Sequence, residues 1–179
     1  MITHARRTPD LEFIRALFLE YEKALDFNLC FQDFERELSE LPGDYAPPGG
    51  CLLLLWEGEA PVGCVAVRQL SPGIGEMKRL YVKPAFRGKG FGRRLAETAA
   101  AEAFKVGHKR LRLDTVPSMQ DAIALYRQMG FREIPPYREN PIPGALYLEL
   151  DLKPPKPEKA APPAAPGKKS RRRQSRAKA

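Results

Sequence analysis

The chain has 179 residues, 43% of them hydrophobic, and a formal net charge of +8 that is unevenly distributed. After Leu152, ten Lys and Arg face Glu158 alone, so the first 152 residues hold 20 basic and 21 acidic side chains and the basicity belongs to the tail. No apolar run approaches the roughly 18 residues that span a bilayer; the three cysteines and two histidines lack metal-ligand spacing, which argues against a membrane span, a disulfide framework and a metal centre.

Met1-Ile-Thr-His-Ala-Arg-Arg carries no hydrophobic signal core, which sets the expectation of a cytoplasmic protein. Ile2 to Arg6 reads as a short strand. Thr8 is placed to cap a helix opened by Pro9 and running to about Leu25, with Leu11, Ile14, Phe18 and Tyr21 inward. A second helix covers about Phe31 to Leu41, before Pro42-Gly43 and Pro47-Pro48-Gly49-Gly50 break the chain. Three strands follow: a buried one at Cys51 to Trp56, one at Pro61 to Leu70 with alternating Val62, Cys64 and Ala66, and one at Glu76 to Val82. Cys51 and Cys64 fall on strands, and with Cys30 they read as plain thiols.

The third strand runs straight into Lys83-Pro-Ala-Phe-Arg-Gly-Lys-Gly-Phe-Gly-Arg-Arg94. Pro84 ends the ladder, and Gly88, Gly90 and Gly92 let backbone N–H groups converge on an anion. The helix that follows from about Phe91 adds its positive end there, and Arg87, Lys89, Arg93 and Arg94 add fixed charge. A plain glycine-rich turn is the bland alternative. A magnesium-binding phosphate loop would need Ser or Thr after a Gly-Lys pair, whereas Gly92 is followed by Arg93 and Arg94. A dinucleotide fingerprint would need a third glycine where Arg93 stands and an acid roughly twenty residues on. A diphosphate cradle and the plain turn remain, and the basic residues on both sides favour the cradle. Arg87-x-x-Gly90-x-Gly92 resembles the Arg/Gln-x-x-Gly-x-Gly/Ala signature of the GNAT acetyltransferase superfamily, and the resemblance implies acetyl-CoA as co-substrate. It places the coenzyme along Leu80, Tyr81 and Val82 and in the loop of Arg87, Gly88, Lys89, Gly90, Phe91, Gly92 and Arg93.

The loop helix runs to about Val106, a strand covers about Lys109 to Asp114, and a helix covers about Ser118 to Met129, with Ser118 as cap and Gly130 as a left-handed C-terminal stop. Ala122-x-x-Leu125-Tyr126-x-x-x-Gly130-Phe131 looks like the second hallmark of the same superfamily, although Met119 stands where members often carry asparagine. The resemblance makes Tyr126 the general acid for the thiolate leaving group; the alternative is a core tyrosine with its hydroxyl on a carbonyl. Last strands are expected at about Phe131 to Ile134 and Ala145 to Leu152. Antiparallel strands followed by a strand-helix-strand crossover imply an α/β fold: a mixed, mostly antiparallel sheet of about six or seven strands, helices on both faces. The organisation read from composition is a domain over 1–152 and a disordered Pro/Ala/Lys/Arg-rich tail over 153–179. The tail has a charge suited to nucleic acid or acidic surfaces but no aromatic residue to stack on bases, and a nonspecific solvated tail is the competing reading.

An amine acceptor has a pKa near roughly 10.4 and must lose a proton before it attacks a thioester. The resemblance points to Glu76, at the start of the strand that leads to the coenzyme, as that base, and to a backbone N–H near Tyr81 as the oxyanion donor. An exposed strand-end charge, or a salt bridge to Lys78 or Arg79, is the other reading of Glu76. Acceptor contacts are expected from Tyr21, Phe27, Phe31, Tyr137 and Asn140, for a small-molecule or peptide amine, by direct transfer in a ternary complex without metal. A coenzyme-A-binding module tethered by its tail to nucleic acid or the ribosome is the alternative function, and monomer and homodimer are equally open.

Overall fold

The computed structural model describes residues 1–25, 29 and 33–154; Phe27, Cys30, Phe31 and the tail beyond Pro154 lie outside the described residues. Seven strands form one sheet in the order β1-β2-β3-β4-β5-β7-β6. They are β1 Ile2–His4, β2 Cys51–Glu57, β3 Ala60–Ser71, β4 Ile74–Val82, β5 Arg110–Thr115, β6 Arg132–Glu133 and β7 Leu146–Asp151. Among the described residues, β4 and β5 are the one parallel pair and the other neighbours run antiparallel. Helices α1 Thr8–Lys23 and α2 Phe34–Ser39 lie on one face, with α3 Phe91–Lys105 and α4 Gln120–Gln128 on the other. This is the expected mixed, mostly antiparallel sheet between helices. None of the described helices is long and apolar enough to cross a membrane.

Leu52 to Leu55 of β2 are all buried because the sheet is covered twice. Leu53 and Leu55 pack with Val65, Val67 and the α3 residues Leu95, Ala96 and Ala99, whereas Leu52 and Leu54 pack with Cys64, Ala66 and Ile14, Leu17 and Phe18 of α1. A continuous apolar run marks such a strand, since neither face needs a polar residue. Each buried leucine contributes about 1.5–3 kcal/mol of transfer free energy.

Two local expectations are corrected. Thr8 is the first helical residue; the N-cap is Arg7, in extended conformation with ψ 155°, and the Asp10 carboxylate accepts the Arg7 backbone N–H at 3.1 Å. An acid three residues past the cap thus takes the place of a hydroxyl at the cap. Val62 does not share a face with Cys64 and Ala66, because it packs with the α3 side. Leu55 pairs with Gly63 and Trp56 with Pro61, so Val62 is an extra residue that inverts the alternation.

Cys51 and Cys64 are free and buried. Burial pushes the Cys51 thiol up to about 12 and raises that of Cys64 as well. Native protein treated with a thiol reagent at pH 8 should therefore show no adduct at either position by peptide mass mapping, and both should label once the chain is unfolded. Native-state labelling comparable to that of a free peptide thiol would contradict the burial.

Candidate active site

β4 passes through a 3-10 turn at Pro84–Phe86 into the glycine loop and α3. Gly88 and Gly90 have φ of +76° and +75°, and nothing lies within 4 Å of a Cβ added at either. Backbone conformation, not crowding, therefore calls for glycine there. Gly90 is the N-cap of α3 and no side chain caps the helix, so the amides of Phe91, Gly92 and Arg93 lack an intrahelical acceptor. Those amides, aligned with the helix dipole, suit a diphosphate. Arg87 donates from Nε to the Val82 carbonyl at 3.0 Å, and its guanidinium lies 5.8 Å from the centre of the Tyr81 ring. Arg93 is engaged by Gln128 and, at 3.6 Å, by Glu97. Lys89 lies 5.2 Å over the Phe86 ring, and Phe91 is buried in the core, where its side chain anchors the loop.

A groove of about 610 Å³ runs from this loop along Leu80, Tyr81 and Val82, with Tyr21 and Leu25 on one wall and the start of α4 on the other. Beside it β4 is an open edge, since β4 and β5 pair only at Ile74↔Arg110, Gly75↔Leu111 and Glu76↔Arg112. A chain with amides, such as a pantetheine arm, can pair with a strand edge of this kind. The N-cap of α4 is Met119 and no side chain caps it, which corrects the expectation for Ser118. The chain first turns at Val116–Met119, where Met119 N–H donates to the Val116 carbonyl at 3.0 Å, so the helix starts later and Ser118 lines the groove.

Past Glu76 the sheet is slit. Cys64 pairs with Tyr81 and Ala66 with Lys78, which leaves one extra residue on β4, and Arg79 takes φ +57° there. The bulge turns β4 away from β5. The resulting cavity, about 50 Å³, lies between Met77–Leu80 and Leu113–Thr115 and is bounded by Tyr21, Met119 and Tyr126. Tyr126 is 7% exposed, and its ring lies 5.5 Å from that of Phe131. Burial raises its phenol pKa, so it holds its proton at neutral pH. Tyr21 borders both the groove and the slit, and burial raises its pKa too.

On the α1/α2 side of the slit the charges are dense. Glu76 is fully buried, so it is not an exposed strand-end charge; it accepts Arg68 Nε at 2.7 Å and the Tyr137 hydroxyl at 2.9 Å. Arg79 is held bidentately by Glu37, at 2.9 and 2.5 Å, and stacks 5.1 Å over Phe34. Burial alone would raise the Glu37 pKa, but the hydrogen bonds and charge of Arg79 hold it below the usual range. Asp114 accepts Arg138 Nη2 at 2.7 and 2.8 Å and Asn140 Nδ2 at 2.8 Å. Lys78, 7% exposed, lines the slit, and burial with the neighbouring Arg79 lowers its ammonium pKa to about 7.

The structure therefore puts Tyr21 and Tyr126 on the slit and Tyr21 and Tyr81 on the groove, with Tyr137 and Asn140 joined to the neighbouring strands through Glu76 and Asp114, while Phe27 and Phe31 lie outside the described residues. Sequence reasoning missed Glu37, Asp114 and the role of Lys78. Strand alternation from Glu76 would have found Lys78; no local signal identifies the others. Among the described residues no group of three His, Cys, Asp or Glu is placed to hold a metal.

The model of the Acetyltransferase (GNAT) family matches residues 11–131. An uncharacterized N-acetyltransferase of Schizosaccharomyces pombe is 35% identical, over 84% of this chain and 94% of its own length. A protein named IAA acetyltransferase from Azospirillum brasilense is 40% identical, over 84% of this chain and 98% of its own. Among solved structures, a proposed acetyltransferase from Salmonella typhimurium, determined with its cofactor acetyl-CoA, superposes with a TM-score of 0.64 at 20% identity, covering 92% of this chain and 98% of that one. A glycine loop opening a helix, an open strand edge and a tyrosine at a sheet opening are thus found in a chain that belongs to the GNAT family of acetyltransferases.

Proposed function

We propose that the protein moves the acetyl group of acetyl-CoA to a primary amine by direct attack within a ternary complex. The observation that carries this reading is the slit: it joins a groove suited to a diphosphate and its pantetheine arm to a separate, charged face of the sheet, with Tyr126 on its border. The loop amides and Arg87 would hold the diphosphate, and the free edge of β4 would hold the arm. When bound, the carrier supplies an activated acyl carbon.

The acceptor enters from the α1/α2 side. A cavity of about 50 Å³ has room for about four water-sized groups, enough for the reacting atoms and little else. Glu76 is the base, and because both its oxygens already accept hydrogen bonds, the amine proton reaches it through the Tyr137 hydroxyl or a water. A backbone N–H at the bulge near Tyr81 faces the oxygen on which negative charge develops. Tyr126 gives its proton to the departing sulfur. The ammonium thus loses two protons, one to Glu76 before attack and one from the tetrahedral adduct that restores the Tyr126 phenol; C–N forms first, the C–S bond breaks as the adduct collapses, and the thiol leaves with the proton from Tyr126.

Release of free thiol from acetyl-CoA across a panel of amines, amino acids and peptides tests the reaction. Heat on titration with acetyl-CoA tests the cradle separately. Gly90→Val should raise the acetyl-CoA dissociation constant at least about tenfold, because a β-branched residue resists φ near +75° and the loop must change shape. Parental affinity in that variant would take the loop out of the binding site.

A further inference from the structure

We infer that Met119 sets the length of the acyl group: its side chain stands at the passage from the groove into the slit and limits the carried chain to acetyl; this rests on the transferase reading above.

Tyr21, Leu80 and Met119 line both the groove and the slit, so they stand where the one opens into the other. Tyr21 and Leu80 also serve the fold: Tyr21 packs against the core beneath α1, and Leu80 against the core beneath α3. Met119 does not. Its side chain belongs to neither core, is half-buried at the start of α4 and caps nothing. The backbone alone fixes its place: Met119 N–H donates to the Val116 carbonyl at 3.0 Å, and the Met119 carbonyl accepts the Ile123 N–H at 3.0 Å. An apolar side chain that the fold does not consume, set on two connected cavities, is suited to meeting the apolar part of a ligand.

The lining of the slit is divided in kind. Met77, Leu80, Leu113 and Met119 make an apolar sector, whereas Lys78, Arg79 and Asp114 make a charged one. The hydrocarbon end of an acyl group belongs in the first, because against the charges it would displace water and return no hydrogen bond. Room there is short. The whole cavity is about 50 Å³ and must also admit the attacking nitrogen, so a methyl group fits and each further methylene meets a side chain. Met77 and Leu113 cannot yield, being 4% and 2% exposed and locked in the α3 core. The wall that can be shortened without a loss of core packing is Met119. Its thioether is soft and unbranched, so it discriminates by about tenfold for a misfit methylene and is not an absolute barrier.

The test uses the full chain with acetyl-CoA, propionyl-CoA and butyryl-CoA. Calorimetry gives the dissociation constant of each carrier, and thiol release with the fastest amine of the panel above gives its kcat/KM. In the unsubstituted chain butyryl-CoA should bind at least about tenfold more weakly than acetyl-CoA and be used at least about tenfold less well, with propionyl-CoA between them, as misfit methylenes in an apolar pocket dictate. Met119→Ala removes the thioether and keeps both backbone hydrogen bonds, and it should bring both ratios within about threefold of unity. Met119→Leu, of similar volume, should keep the parental order. Met119→Val, of intermediate size, should fall between and decides the matter if the alanine variant does not fold. Equal binding or equal use of the carriers by the unsubstituted chain, parental ratios in folded Met119→Ala, or a loss shared alike by all carriers overturns the assignment while leaving the transferase reading intact. Thiol release with none of the amines overturns both.

Discussion

Replacing Tyr126 by phenylalanine should lower kcat about a hundredfold or more while leaving the acetyl-CoA dissociation constant within about twofold, the range expected when a single general acid is removed. The phenol stands at the border of the slit, 7% exposed, and burial keeps it protonated. Its ring packs against Phe131, and phenylalanine retains that contact, so stability should change little. Single-turnover thiol release isolates the chemical step from product release. A variant with parental kcat would return Tyr126 to a packing role and require another proton donor for the sulfur.

Glu76→Gln should have the largest effect on stability. The substitution removes the charge that faces Arg68 at 2.7 Å and Arg138 at 3.7 Å, on a side chain with no exposure. Breaking a buried pair of this kind costs about 3–5 kcal/mol because the remaining charges lose their compensation. For a domain of this size that corresponds to a fall in Tm of about 6–20 °C. If Glu76 is also the base, the rate falls beyond what destabilisation explains. Arg68→Met separates the two roles: it breaks the same pair but keeps the carboxylate. It should lose stability to a comparable degree, and kcat/KM measured well below its Tm should stay much closer to parental than in Glu76→Gln. Equal rate losses in the two variants would make Glu76 a structural residue.

The parts of the fold that short-range chemistry controls were legible in the sequence. Gly88 and Gly90 occupy left-handed positions in a strand-loop-helix turn, and Gly130, with φ +94°, ends α4 as its place after Met129 implies. Leu52 to Leu55 announced a strand covered on both faces. What escaped depended on partners far along the chain. Arg79 meets Glu37 across 42 positions and Arg138 meets Asp114 across 24, so neither pair has a local pattern. The bulge at Arg79 was equally hidden: nothing in Lys78-Arg79-Leu80 marks a residue in the left-handed region, and the Glu37 and Phe34 contacts hold it there. Thr8 misled because hydroxyls usually cap helices, whereas Asp10 secures this one from inside.

The slit also divides the labour of change between two surfaces. The segment from Ile134 to Ala145, which supplies Tyr137, Arg138 and Asn140, has no strand or helix of its own and touches the α1/α2 side through side chains. The glycine loop at Gly88 to Arg93 sits at the other end of the groove, whose lining includes no residue of that segment. Under the proposed transfer, exchanges between Ile134 and Ala145 would alter the face offered to the acceptor while leaving the backbone geometry of the glycine loop as it is, so one scaffold could be retuned by rewriting a dozen residues.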